Sequence, residues 1–368
     1  MMRYEELREL LKRIEFNKTE PETLAKLVES AQIKGENAQK ELRNLRRLTG
    51  KIVDLLKSKN FFHINNEIND SEVEKFAVGI DGSFQLVGGV GGKWYLFLSV
   101  TRILFKNGLG SEPEVEVFWA DIDEIDEQDN PSIRLVAEER MLTAESKATL
   151  NWGSKGIRSV VFIDGPIIDP PFSFRNDKDY INYRCEAFRT CLKNSIVIGC
   201  VKRVRDRFFI NYLVNELSIK NAKSFPTDQH LMLLLFTKLR QNTSLGSLYT
   251  TWIDLNESDV KPHKDYGDNK IYVVSFFYER SIRSKILRID VPFTFPPSEN
   301  KDLVDSTIGK VINILDYWTY PGQDPLPVLL AHEKCNIRKG AAEVLYEEIL
   351  TKSRSADPFD QLVASRMR

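Results

Sequence analysis

The sequence predicts an α/β fold, a mixed sheet in which three antiparallel strands come first and strand–helix–strand units follow. Two observations carry this. At Phe76 the hydrophobic period changes from helical to two. Further on, Ser159 to Asp164 and Ile196 to Val201 are short, almost wholly apolar runs, as in strands covered by helices on both faces. The 368 residues, 42% hydrophobic and 29% charged, suffice for a full core. No apolar run approaches the ~20 residues of a membrane helix. The charged start MMRYEELREL lacks the apolar stretch of a secretory signal, so the expected location is cytoplasmic.

The elements follow in order. Leu7, Leu10, Leu11 and Ile14 sit at helical spacing, as do Leu24, Leu27, Val28 and Ala31, and Leu42, Leu45, Leu48, Ile52 and Leu55 continue a stripe. Residues 1–70 are therefore expected to form an N-terminal helical region, with a polar linker from Asn65 to Glu74. Phe76, Val78 and Ile80 then alternate along a strand expected to end at Asp81-Gly82-Ser83. The cluster Gly88-Gly89-Val90-Gly91-Gly92 reads as a turn before the strand Trp94 to Phe105, and Glu114 to Trp119 adds a third strand. This cluster is not a phosphate loop. Trp94 follows Lys93 where Ser or Thr is required, and Val87 occupies the upstream glycine position.

Asn130-Pro131 supplies an N-cap and a first-turn proline for a long helix. Ile133, Val136, Ala137, Met141, Ala144 and Ala148 form its apolar stripe, and it should end near Gly153. Helices at about 177–194, 205–220 and 228–240 surround the strand Ile196 to Val201. A later β set (Ser247–Leu255, Ile271–Glu279, Lys285–Val291) precedes two C-terminal helical segments. The main domain is expected over 71–345, with 346–368 as a tail. Three antiparallel strands, a helix, a strand, a helix and a strand is the order of an RNase H-like core.

Two places carry the same local chemistry. Ile80-Asp81-Gly82 and Ile163-Asp164-Gly165 each put a carboxylate at the end of an apolar strand, before a glycine. In open α/β sheets ligands sit beyond strand ends, so adjacent strands would bring the two aspartates together. Paired carboxylates repel, and a hard divalent cation relieves that repulsion. Asp-Gly is also a common strand-to-turn signal, which is the alternative reading. At ~100° per residue, Glu138 and Glu145 share one flank of the helix stripe. Glu145 is the preferred third acid and Glu138 the second choice.

Lys202-Arg203 follow a strand, with Arg205 and Arg207 beyond them, and could bind a phosphate or stabilise transition-state charge. His332, in an apolar run, is either simply packed or a general acid/base. The four cysteines, Cys185, Cys191, Cys200 and Cys335, have no zinc-ligand spacing and read as buried thiols. The net charge of −1 hides segregation. Eight Lys/Arg lie in residues 34–59, and twelve acids lie in 112–145. Phosphate binding responds to local potential, so DNA is not excluded as a partner.

These motifs resemble those of NurA nucleases. The run from Phe76 to Ser83 is similar to the opening motif of that family, and Val161 to Pro166 to its second acidic motif. Gly199-Cys200-Val201-Lys202-Arg203 resembles its strand-end Lys-Arg, and Tyr320-Pro321, Pro325-Leu326 and Ala331-His332 its C-terminal signature. The resemblance implies an RNase H-like fold and a DNA nuclease dependent on Mn²⁺, or on Mg²⁺ in its place. Residue by residue it implies Asp81, Asp164 and the helix acid Glu145 as metal ligands. Tyr320 and His332 fall on the remaining catalytic positions, and Lys202 and Arg203 beside the substrate. The implied partners are DNA, a HerA-type hexameric ATPase and a second copy of the chain, in DNA end processing, repair or defence. The competing reading is a catalytically weak scaffold that binds a hexameric motor and DNA.

Overall fold

Alternating apolar residues from Ala77 onward form the backbone of a mixed ten-stranded sheet, seen in a computed structural model that describes residues 21–69, 73–90, 93–126, 133–169, 178–241, 246–257, 260–282 and 284–353. In chain order the strands are β1 (Phe62–Asn65), β2 (Ala77–Val90), β3 (Lys93–Phe105), β4 (Glu114–Asp126), β5 (Ser159–Ile163), β6 (Ser195–Val201), β7 (Ser247–Thr250), β8 (Ile253–Asp254), β9 (Tyr272–Glu279) and β10 (Leu287–Phe293). The described helices are α1 (Pro21–Ser58), α2 (Ile133–Ser154), α3 (Lys178–Leu192), α4 (Phe208–Asn215), α5 (Asp228–Arg240), α6 (Lys261–Asp268), α7 (Lys301–Trp318), α8 (Leu326–Cys335) and α9 (Lys339–Ser353).

The sheet order is β1-β7-β9-β10-β6-β5-β2-β3-β4, with β8 paired to β9. Its half from β6 to β4 is the predicted RNase H-like core. There β2, β3 and β4 form an antiparallel meander, and β5 and β6 run parallel to β2. All five residues of β5 are buried, which explains the unbroken apolar run Ser159 to Ile163. Alternate residues serve two cores. Val161 and Ile163 face one core with Ala137, Ala144 and Ala148 of α2, while Val160 and Phe162 face the other with Val311 and Leu315 of α7.

Several sequence expectations need correction. The strand that carries Asp81 does not end at Ser83 but continues to Val90, because β3 pairs with it beyond the point where β5 stops. Asn65 is not in a linker. It closes β1, which pairs with β7 at the sheet edge, and its Nδ2 donates to Asp316 Oδ2 at 2.7 Å. The short helix α6 was not foreseen, and residues 346–353 continue α9. Residues 24–58 belong to one long helix, whose C-terminal half buries Leu45, Ile52, Val53 and Leu56. The stripe Leu7 to Ile14, the cap Asn130-Pro131 and residues 354–368 of the expected tail lie outside the described residues.

Candidate active and metal site

The parallel pairing of β2 with β5 sets the geometry. Its last pair is Ile80 with Ile163, so Asp81 and Asp164 follow side by side. Beyond this point β5 breaks away while β2 continues, which leaves a notch at the end of β5. A third element closes over it. The first turn of α8 packs on Gly79, where a Cβ would stand only 2.0 Å from the Pro327 carbonyl oxygen. Any side chain at 79 would push α8 away, and His332 with it.

Asp81, Asp164 and His332 offer ligand atoms that all lie within 4.8 Å of one another. His332 Nδ1 is 2.8 Å from Asp81 Oδ2 and 3.4 Å from Asp164 Oδ2. Asp81 is buried, whereas the His332 side chain is half-exposed, so the cluster opens to solvent on the α8 side. Lys202, at the end of β6, donates to Asp164 Oδ2 at 2.6 Å.

Glu145 reaches the same place from α2 and is buried, 3% exposed. Its Oε1 accepts from the Gly82 backbone N–H at 2.8 Å, and Asp81 Oδ1 accepts from the same N–H, also at 2.8 Å. A Cβ at Gly82 would lie 2.9 Å from Glu145 Oε1, so a glycine here is what lets the helix acid approach. Glu138, the second choice, is instead partnered by Arg134 at 3.5 Å. The helical-wheel preference thus selected the acid that lies beside the aspartates.

The electrostatics follow from packing like charges together. Burial, then the Asp81 charge, raises the Asp164 pKa to about 6, with Lys202 opposing. Burial, followed by Asp81, holds Glu145 well above the ordinary carboxylate range, against the pull of Arg184. Hydrogen bonding to Asp81 raises His332, so its imidazolium persists to higher pH than a free histidine. Burial works to lower the Lys202 pKa, but Asp164, Asp324 and Asp81 together outweigh it and keep the ammonium charged. Such a group of carboxylates suits a hard divalent cation, which supplies the charge that Lys202 alone cannot.

Two neighbours were not singled out from the sequence. Asp324, buried in the turn before α8, lies 3.7 Å from Lys202 Nζ and 3.0 Å from Lys285 Nζ. The Cys335 thiol, 3.4 Å from Asp81 Oδ2, is held in thiol form by burial and by that carboxylate. Cys335 stands three residues after His332, so helical spacing was the available signal. Tyr320 is exposed in the turn after α7, and among the described residues no hydrogen bond joins its phenol to the carboxylates. Arg203 is exposed next to Lys202. All four cysteines are free and buried.

A NurA domain model matches residues 51–336. The structure is similar to that of the NurA nuclease from Sulfolobus solfataricus, at a TM-score of 0.55 and 13% identity, over 92% of this chain and 100% of that one. A second NurA crystal structure matches at a TM-score of 0.52 and 10% identity, over 91% and 99% of the two chains. Comparison with curated protein sequences gave no match. No described helix is long and apolar enough to cross a membrane. With the model spanning more than half its length, the chain belongs to the NurA domain family.

Proposed function

We propose that this protein is a nuclease that hydrolyses phosphodiester bonds of DNA with the help of a divalent cation, Mn²⁺ in the first instance and Mg²⁺ as the alternative. One observation carries the reading: two aspartates on adjacent parallel strands share a notch with an accessible histidine, their ligand atoms within 4.8 Å. Asp81 and Asp164 would hold the cation, with Glu145 completing the acidic set. A bound divalent cation supplies an activated water and stabilises charge on the phosphate oxygens.

The chain's own residues do the rest. Lys202, fixed between Asp164 and Asp324, offers an ammonium to a non-bridging phosphate oxygen. His332, hydrogen-bonded to Asp81 through Nδ1, would give a proton from its other ring nitrogen, Nε2, to the leaving oxygen as the P–O bond breaks. Tyr320 is carried over as a catalytic residue by family resemblance alone. The same resemblance supports a homodimer working on a HerA-type hexameric ATPase in the cytoplasm, in DNA end processing, repair or defence.

The direct test is incubation of the purified chain with linear and single-stranded DNA, in Mn²⁺ and then in EDTA. Cleavage is expected with the metal alone, and Asp81→Ala and Asp164→Ala should each abolish it. Cleavage that survives both substitutions would remove the proposed site. Absence of specific Mn²⁺ binding by calorimetry would favour the scaffold reading instead. Light scattering at micromolar concentration tests the dimer.

A further inference from the structure

Beside the notch, and outside the carboxylate cluster, lies a groove of about 780 Å³ between the N-terminal end of α2 and the chain after β6. Its walls are contiguous with the site. Pro166 follows Asp164 by two residues, and Arg203 follows Lys202 directly. Arg134, Arg203, Arg205 and Arg207 line it, all four exposed. Among the described residues, Arg203 and Arg205 have no hydrogen-bond or ion-pair partner, and Arg207 donates only to the neutral Lys223 carbonyl at 3.0 Å. Three guanidinium charges are therefore left without a carboxylate. Beneath them, Arg288 is already committed to Asp206 and Asp290.

The lining also holds three carboxylates, Glu138, Asp169 and Asp206, each paired with an arginine (Arg134, Arg184 and Arg288), and the remainder is of a different kind. Phe208 lies 4.6 Å, centroid to centroid, from the buried His263, which holds its ring in place. Ile168, Val201 and Val260 add an apolar wall. A duplex offers phosphates and base edges to such a surface but no base faces, because its bases are stacked. A single strand offers both phosphates and base faces, which is the combination this groove matches: cationic rim, aromatic and aliphatic wall. The volume is in the range of sites that enclose a nucleotide-sized ligand.

We infer that this groove binds the single-stranded segment of DNA adjoining the bond that is cut, with Arg203, Arg205 and Arg207 on its phosphates and Phe208 under a base. The inference rests on the nuclease reading for its connection to cleavage, but its test does not. A fluorescein-labelled oligo-dT is titrated with the full chain in EDTA and followed by anisotropy. Arg203→Ala/Arg205→Ala should weaken binding about tenfold at low salt. It should also make the plot of log affinity against log salt shallower by about 1.4, the ~0.7 per contact expected for single strands times two. Arg203→Lys/Arg205→Lys, which keeps the charge, should retain most of the salt slope, and Phe208→Ala should weaken single-strand binding without changing that slope.

Affinity unchanged in the alanine pair, with its melting temperature that of the parent chain, would overturn the inference. So would an equal loss for duplex of the same length. Cleavage by the parent chain in Mn²⁺ is scored separately. Cutting with undiminished binding by the alanine pair sinks the groove alone, whereas lost binding without any cutting sinks the nuclease reading and leaves the groove.

Discussion

Buried carboxylates occur in two neighbouring regions of this molecule, and they are treated in opposite ways. Asp169 receives hydrogen bonds from the Tyr180 and Tyr266 hydroxyls, at 3.1 and 3.0 Å, and an ion pair from the buried Arg184 at 3.3 Å. Burial raises its pKa, with Arg184 and both phenols opposing. Each charge there has a partner from within the chain. Asp81, Asp164 and Glu145 are also largely buried, yet among the described residues only Lys202 is bonded to any of them as a permanent cation. The first arrangement is complete without a ligand. The second stays short of positive charge and keeps one side open through His332, which is the condition under which burying acids serves chemistry rather than stability.

The contrast can be broken most directly at its largest expected effect. Asp164→Asn should reduce Mn²⁺-dependent cleavage by about 10³-fold or more, while the metal-free protein melts no lower than the parent. Asp169→Asn should do the reverse. It leaves the buried Arg184 without its counter-charge, at a cost of about 3 kcal/mol, seen as a melting temperature several degrees lower while Mn²⁺ still raises that temperature. If both substitutions lowered stability alike, the two regions would not differ in kind. Lys202→Met comes next, with an expected loss of about 10- to 100-fold in the rate of cleavage. A rate equal to the parent's would remove the lysine from the site.

Proton linkage sharpens the comparison further. The Asp164 pKa rises on folding from 3.8 to about 6, so between those values the folded chain holds a proton that the unfolded chain has lost. Stability of the metal-free protein should therefore fall as pH rises through that window and be lowest above it. A cation must displace the same proton, so thermal stabilisation by Mn²⁺ should be small near pH ~5 and level off above ~7. A pH-independent Mn²⁺ effect would count against Asp164 as a ligand. The smallest effect is expected for Glu145→Gln. Because burial and Asp81 favour the neutral carboxyl, a neutral isostere should leave the metal-free melting temperature within roughly 2 °C, and the Gly82 N–H keeps an acceptor. A collapse in stability would mean that Glu145 is structurally charged.

Much of the core was legible in the sequence. The change of period at Phe76, the apolar run at β5 and the stripe on α2 follow from side-chain geometry that repeats every two or 3.6 residues, so they report local structure wherever they occur. The pair Asp81 and Asp164 was legible for the same reason, each following an apolar strand. Less legible were β1, whose four residues have too little pattern to stand out, and the true extent of β2, which depends on a partner strand beyond Ser83. Cys335 could be linked to the site only through its helical spacing from His332, and Asp324 carries no spacing signal that links it to Lys202, being distant in the chain.

By itself, then, the sequence determined which residues could bear charge at strand and helix positions, because those positions are set by neighbours a few residues away. Only the tertiary structure decided that β2 and β5 are adjacent, that Gly79 admits α8 and so brings His332 to Asp81, and that Gly82 admits Glu145. It also decided that Asp169 would meet an arginine and two phenols of its own, while Asp81, Asp164 and Glu145 would lie together beside one lysine. Compensation of a buried charge depends on which groups lie within a few ångströms, and here other elements supply them, from 11 to 97 positions away for Asp169 and 38 for Asp164.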